Sequence, residues 1–442
     1  MGKPDEATCS RGVAHEGGES MTMGLDGFTG AILAVESVVD AAAILHGPLG
    51  CKYFQSSMSD THYTRSGSQD ASELGELGFF MQARVPCDFL DVHDYINGGS
   101  DKLETVLPII ASRREGLLAI INSPGAALIG DDVAQSVDRL GLSHRTVLID
   151  NPCCSCPASK GFEEGIIAVL DAVRPPQRYR RKRTVNLLGL SIMHKNWEGT
   201  VKELRRLLSL MGIETIATIG AGCTIEEMRA SSEAELNIIL CPEYGQRTAE
   251  WYAKTFGTPY LISPRGAPVG FDATEAWLLA VAHELGVDPS PAIADLTSAK
   301  SRARMALEKF NLYTGLPRGA TFSIRADSSI AYPLTKWLVT YLGMWPEAIE
   351  LLPGSDKKMD GELRSFITRF DGDVALDRKV CEEHVDVVFA NGNEISFLLS
   401  NGMCSVGMAI TISDQRRAEL IPRTYWGTSG ALQILENIIN GL

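Results

Sequence analysis

Ten short apolar runs recur along this chain with helical patterns between them, and they decide what it can fold into. They cover residues 117–122, 146–149, 185–191, 214–219, 236–240, 259–262, 321–325, 348–352, 385–389 and 408–412. Most are apolar at nearly every position, not at alternate ones. A strand of that kind is covered on both faces, as in parallel sheets flanked by helices. Residues 199–210 place Val201, Leu204, Leu207 and Leu208 on one face and stop at Gly212. Residues 332–342 do the same with Leu334, Trp337, Leu338 and Tyr341 and stop at Gly343. Both then enter a strand, so one strand–helix–strand unit is used twice. Residues 297–312 read as a bridging helix, and Pro175-Pro176 and Pro289-Ser290-Pro291 punctuate the chain. The expectation is an α/β protein of three Rossmann-like, doubly wound parallel-sheet domains in series. A tail spans 1–20, domain I 21–176, domain II 177–290, and a helical bridge plus domain III 291–442.

Composition narrows the partners. The chain has 442 residues, 45% of them hydrophobic, enough for several cores. A net charge of −14 offers no positive field to a phosphate backbone, so no nucleic acid is expected. Arg178, Arg180, Arg181, Lys182 and Arg183 form the one basic run, which reads as a solvated linker or a docking patch. No run of 18 apolar residues occurs and the polar start has no signal-peptide core. A cytoplasmic protein with no membrane partner is expected. Its 10 cysteines are then free thiols or metal ligands and not a disulfide scaffold.

Ligands of doubly wound folds sit beyond the carboxyl ends of strands, so the loops carry the functional signal. The run His46-Gly47-Pro48-Leu49-Gly50-Cys51 breaks an apolar segment and sets a thiol on a tight turn. A lone cysteine is ordinarily a small buried hydrophobe; on such a turn it is also a candidate iron–sulfur ligand. His46 orients the turn or binds metal. Cys87, in the Pro-turned loop Val85-Pro86-Cys87-Asp88, is a second candidate ligand. Cys241, in Cys241-Pro242-Glu243-Tyr244, stands at a strand end as ligand, pocket lining or packing. Cys153, Cys154 and Cys156 are the densest cluster but match no zinc-ribbon spacing; ligation, redox and packing roles all stay open. Asp131 and Asp132 precede a helix and read as capping carboxylates or a metal site. Cys9, Cys223, Cys381 and Cys404 read as structural. No residue declares itself catalytic. The chain lacks G-x-x-x-x-G-K-S/T, H-E-x-x-H and G-x-S-x-G patterns, so it should not hydrolyse ATP by a P-loop, and a hydrolase reading is weakened.

Five stretches together resemble component 1 of the nitrogenase superfamily, over about residues 22 to 442. His46 through Cys51 is similar to the family's cluster-ligand turn, and Asp94 through Leu103 to its following glycine-pair segment. Leu128-Ile129-Gly130-Asp131-Asp132 resembles its I-G-D-D turn. The block from Asn237 through Cys241 to Pro259 resembles its second-domain strand–helix–G-x-P unit. Tyr425 through Ala431 resembles its C-terminal Y-x-G-x-x-G element.

The resemblance implies a homologous second component-1 subunit, usually in an α2β2 heterotetramer, with an iron–sulfur cluster shared at the subunit interface. A separate iron protein would bind and hydrolyse ATP, dock transiently and deliver electrons for a small-molecule substrate. Cys51 is the implied cluster ligand. The family's other two cluster cysteines fall at Leu25 and Pro124, so an eight-iron cluster is not implied. Cys51, alone or with Cys87, suits a smaller 4Fe-4S cluster completed by the partner, in which an Asp can replace one thiolate. Cys241 falls where catalytic subunits hold an iron–molybdenum cofactor, but the usual histidine position lies near Ile421. Pocket lining is therefore read before ligation there, with an additional metallocofactor left open. The implied function is half of the catalytic component of an ATP-dependent reductase, acting on a tetrapyrrole or carbon–sulfur compound in preference to dinitrogen. The alternative is a scaffold subunit for metallocofactor assembly, and the third reading is a metal-free solute-binding or regulatory protein.

Overall fold

The computed structural model describes residues 25–55, 85–113, 116–150, 154–370, 372–412 and 421–442. The expected tail, with Cys9, and Cys153 lie outside the described residues. Among the described residues, eleven strands form three sheets. The first holds β1 (Ala41–His46), β2 (Leu117–Asn122) and β3 (Thr146–Ile149) in the order β1-β2-β3. The second holds β4 (Arg181–Leu188), β5 (Glu214–Thr218), β6 (Ala234–Ile239) and β7 (Tyr260–Ile262) in the order β5-β4-β6-β7. The third holds β8 (Thr321–Ala326), β9 (Trp345–Leu351), β10 (Val385–Asn391) and β11 (Cys404–Thr411) in the order β11-β10-β8-β9. Every pairing between these strands is parallel. Taken from β9, the third sheet repeats the permutation of the second, so the repeated unit seen in the sequence is a repeated topology. In each, the first strand lies inside the sheet, and the order reverses beside it, at β4/β6 and at β8/β10.

All ten expected runs fall on strands; β1 is the addition. Its residues are buried throughout and alternate between two apolar bodies. Ala41, Ala43 and Leu45 join Ala119 and Ile121 of β2 in the main core. Ala42 and Ile44 join Leu118, Ile120, Leu103, Leu107, Val133 and Val137 in a smaller core on the opposite face. Helices Ser100–Arg113 and Val133–Arg139 therefore cover one face of the first sheet.

The other face is covered by helix Gly27–Glu36, buried along its whole length. It crosses helix Ala158–Val173 at backbone contact. A Cβ on Gly161 would stand 1.9 Å from the Gly27 carbonyl oxygen, and one on Gly30 would stand 2.0 Å from that of Ala158. Only glycine permits that approach.

The basic run is corrected by the structure. Arg181, Lys182 and Arg183 open β4 and are not linker. Arg181 reaches Glu214 at 2.6 Å, Lys182 reaches Glu235 at 2.6 Å, and Arg178 reaches Glu233 at 2.5 Å. Those three charges are matched by acids on neighbouring segments, and Arg180 donates to the Phe256 carbonyl at 3.0 Å.

The last helix, Gly427–Gly441, returns to the middle of the molecule. It packs against helices Trp197–Leu210, Gly270–Leu285 and Ser290–Thr314. The Gly427 N–H donates to the Pro268 carbonyl at 2.7 Å, and Ser429 donates through its N–H and Oγ to the buried Glu203 carboxylate, each at 2.9 Å. Among the described residues, no helix is long and apolar enough to cross a membrane.

Candidate functional site

β1 ends at His46 and the chain turns at once through Gly47. A Cβ there would stand 2.5 Å from Ser123 Oγ, at the end of β2, so the turn needs glycine. The short helix Leu49–Gln55 follows and carries Cys51, half-buried, near its start. Cys87 arrives from another stretch of chain that runs parallel to β1: Leu45 and Cys87 form a bridge, and the Leu45 N–H donates to the Pro86 carbonyl at 2.9 Å. The two thiols thus come to one sheet edge. They are close enough that a Cys51 thiolate raises the Cys87 pKa.

Each thiol has a defined surrounding. Burial pushes Cys51 up from its ordinary value; the neighbouring Ser123 hydroxyl opposes this and the Asp26 charge adds to it. Burial pushes Cys87 up to about 12, against the Phe89 N–H that donates to its Sγ at 3.3 Å. The Cys87 thiol in turn donates to the Gly47 carbonyl at 3.2 Å. Phe89 holds that N–H in place with φ +56°, a left-handed conformation that bulky residues rarely adopt. Such strain persists where the surroundings impose it, and it clusters at functional sites. The phenol of Tyr95 completes the group. Burial raises its pKa first, then the Cys51 charge, while the Ser123 hydroxyl lowers it.

Behind the thiols lies His46, fully buried. Its Nδ1 meets Asp88 Oδ2 in a short contact, and its Nε2 lies 3.3 Å from Asp131 Oδ2. Asp88 Oδ1 accepts from the Gly47 N–H at 3.0 Å. Asp131 accepts from the Gly99 N–H at 2.8 Å and from Ser100 Oγ at 3.2 Å. Burial alone would lower the His46 pKa, but the two carboxylates outweigh it and the value is raised. Asp132 caps helix Val133–Arg139 as expected, whereas Asp131 is engaged by His46 and the Gly99 turn.

The surface here carries exposed apolar side chains among polar ones such as Asp91 and His93. Leu49, Phe89, Val92, Ile96 and Leu128 are between 46% and 88% exposed. Each lies only a few residues along the chain from Cys51, Cys87, Tyr95 or Ser123.

Cys241 is elsewhere. It is fully buried at the end of β6, and burial, Glu243 and Asp327 drive its pKa well up. Glu243 accepts from Ser328 Oγ at 2.9 Å, Ser329 Oγ at 2.6 Å and the N–H groups of Ser329 at 3.0 Å and Asp356 at 3.2 Å. Tyr244 donates to Asp327 Oδ2 at 3.2 Å. His194, pushed down to about 4 by burial, stacks edgewise on Tyr244 at 5.1 Å and lies 5.4 Å from Trp426. The order-reversal points of the second and third sheets therefore face each other through a closed polar junction, and Cys241 belongs to it and not to the Cys51–Cys87 pair. Of the remaining cluster, Cys154 is exposed and Cys156 half-buried; the Cys156 carbonyl accepts from the Gly27 N–H at 2.8 Å. Among the described residues, no three His, Cys, Asp or Glu side chains converge as a metal site. The chemistry available is two thiols with an N–H···S donor, half of the thiolates that hold a four-iron cluster.

Residues 27–442 match the family described as nitrogenase component 1 type oxidoreductase. The chain belongs to that family. This component 1 type chain is 30% identical over 173 residues to a light-independent protochlorophyllide reductase polypeptide of Methylobacterium sp. (strain 4-46), covering 38% of the chain and 34% of that protein. It is 26% identical over 311 residues to the equivalent reductase polypeptide of Heliobacterium modesticaldum, covering 66% and 56%. Nitrogenase iron-molybdenum cofactor biosynthesis protein NifE of Nostoc sp. (strain PCC 7120) is 25% identical over 306 residues, covering 65% and 59%. Each alignment spans less than two thirds of the relative. Two solved structures titled Nitrogenase Cp1, at pH 6.5 and pH 5, superpose with TM-scores of 0.71 and 0.69 at 16% identity. They cover 93% and 99% of this chain, and 90% and 91% of theirs. These superpositions carry the fold: three Rossmann-like parallel-sheet units in series.

Several site residues of this component 1 type chain escaped the sequence. Asp88 follows Cys87 directly but shows its role only through His46. Ser123, not Pro124, stands beside Cys51. Leu25 packs on the main core, and Asp26 next to it caps helix Gly27–Glu36 while its charge acts on Cys51. Tyr95 lies in a stretch that carried the resemblance, though nothing there marked its phenol.

Proposed function

We propose that this chain is one subunit of the catalytic component of a nitrogenase-like, ATP-dependent reductase. It takes electrons from a separate iron protein through an iron–sulfur cluster shared with a homologous second subunit, in an α2β2 assembly of the cytoplasm. ATP is used on the iron protein alone. The observation that carries this reading is a pair of thiols brought to one sheet edge, with exposed apolar residues nearby along the chain. That is half of the thiolate set of a four-iron cluster, with Cys51 the more exposed of the two.

Cys51 and Cys87 would hold this chain's side of a 4Fe-4S cluster, which when bound supplies one-electron transfer. Phe89 N–H steadies the Cys87 sulfur, and the Ser123 hydroxyl lies beside Cys51. Exposed Leu49, Phe89, Val92 and Ile96 would exclude water once a partner covers them. Tetrapyrrole substrates are favoured by the relatives named as protochlorophyllide reductases, with a carbon–sulfur compound as the second class. Dinitrogen is disfavoured by Leu25 and Pro124, where the resemblance calls for cysteines. Cys241 lines a closed junction and is proposed as packing before any metallocofactor.

The test is anaerobic co-purification with the second subunit, then iron and sulfide quantitation. Cys51→Ala should lose iron and abolish reduction; full iron and activity in that variant would remove Cys51 from the site. The likeness to NifE supports a second reading, a scaffold for metallocofactor assembly. A scaffold complex would activate an apo-protein by handing over its cluster, whereas the reductase would turn over a small molecule with reductant, ATP and iron protein.

A further inference from the structure

We propose that the buried Asp88–His46–Asp131 array is the positioning device of the Cys51–Cys87 pair, and that its charge sets the reduction potential of the metal they hold. The proposal rests on the reading of those thiols given above.

The array joins segments that are otherwise separate. His46 is the last residue of β1 and starts the turn to Cys51. Asp88 follows Cys87, and one carboxylate binds both the His46 ring, through Oδ2, and the Gly47 N–H, through Oδ1. The Cys87 loop is therefore bolted to the Cys51 turn by a side chain from each. On the far side of the ring, Asp131 extends the link to the Gly98-Gly99 turn and to the start of helix Ser100–Arg113. His46 is 0% exposed and Asp88 4% exposed, so neither contact is diluted by water. Outer partners that orient metal-holding side chains contribute about 10–100-fold in affinity.

Charge follows from composition. Two carboxylates face one imidazole, so the array is net negative in either state of the ring. The nearby Lys102 ammonium is engaged by Asp91 at 2.9 Å and Asp94 at 2.6 Å, and the buried Lys52 charge acts on Cys87 less than that of Asp88 does. A fixed buried negative charge opposes electron entry into a neighbouring centre and lowers its potential.

The experiment uses the paired complex purified without oxygen, with wild type, His46→Asn, His46→Gln, Asp131→Asn and Cys51→Ala side by side. Iron release to a ferrous chelator and the midpoint potential are the readouts. Asn places its amide near the position of Nδ1 and can still reach Asp88; Gln places its amide near Nε2. H46Q should release iron about tenfold faster than wild type, with H46N recovering most of the loss. D131N keeps its carbonyl for the Gly99 N–H and loses the charge, so it should keep its iron and shift the potential positive. Wild-type release from both His46 variants, or an unshifted potential in D131N, overturns the proposal. Full iron in C51A would instead overturn the reading of the site itself.

Discussion

Asp327 sits where two sheet ends meet, 1% exposed, with Tyr244 as its side-chain donor. Burial first, and then the Glu243 charge, push its carboxyl from 3.8 to about 8. Between those values the folded chain keeps a proton that the unfolded chain has released. This part of the stability is therefore full below about pH 4, falls as pH rises, and is gone by about pH 8. Asp327→Asn should flatten thermal stability against pH across that window by about one proton's worth of slope. Superimposable slopes for wild type and variant would refute the assignment. Glu163, pushed up to about 8 chiefly by burial, gives a second contribution of the same sign that the variant leaves in place. At this scale the sequence carried the thiols but not their company. Cys51 and Cys87 announced themselves by Gly and Pro beside them. Asp88 and Asp131 could not be linked to His46, because only the packed sheet edge brings them to its two ring nitrogens.

Among the elements, the crossing of helices Gly27–Glu36 and Ala158–Val173 tests how close two backbones stand. Gly161→Ala forces a methyl against the Gly27 carbonyl and should destabilise by about 1–3 kcal/mol. Gly361→Ala, in helix Lys357–Thr368 with nothing within 4 Å of the added Cβ, should stabilise by about 0.5–1 kcal/mol. Opposite signs in a melting experiment confirm the contact, and equal signs refute it. The same elements explain what could be read beforehand. Runs such as Leu236 to Leu240 are apolar and bounded by punctuation, which identifies a covered strand. β1 reads Ala-Ala-Ala-Ile-Leu-His, with one β-branched residue, and follows a buried helix after only four residues. Its apolar character merged with that of the helix, and only pairing with β2 separates them.

For the whole molecule, the proposed pairing is tested at the exposed apolar residues near Cys51 in the chain. Val92 and Ile96 are 78% and 76% exposed and lie one turn apart on helix Val92–Asn97. The pair change Val92→Asp with Ile96→Asp should weaken association with the second subunit at least about tenfold in sedimentation or gel filtration, while the melting temperature of the single chain stays within about the range of surface substitutions. Undiminished association would move the interface elsewhere.

The return of helix Gly427–Gly441 to the centre has a consequence for biosynthesis. Helices Trp197–Leu210 and Gly270–Leu285 leave the ribosome long before their cover does, so the middle of the molecule must wait, with oily side chains uncovered, until more than 140 further residues have been made. A deletion of this segment alone would injure the heart of the protein and not its edge.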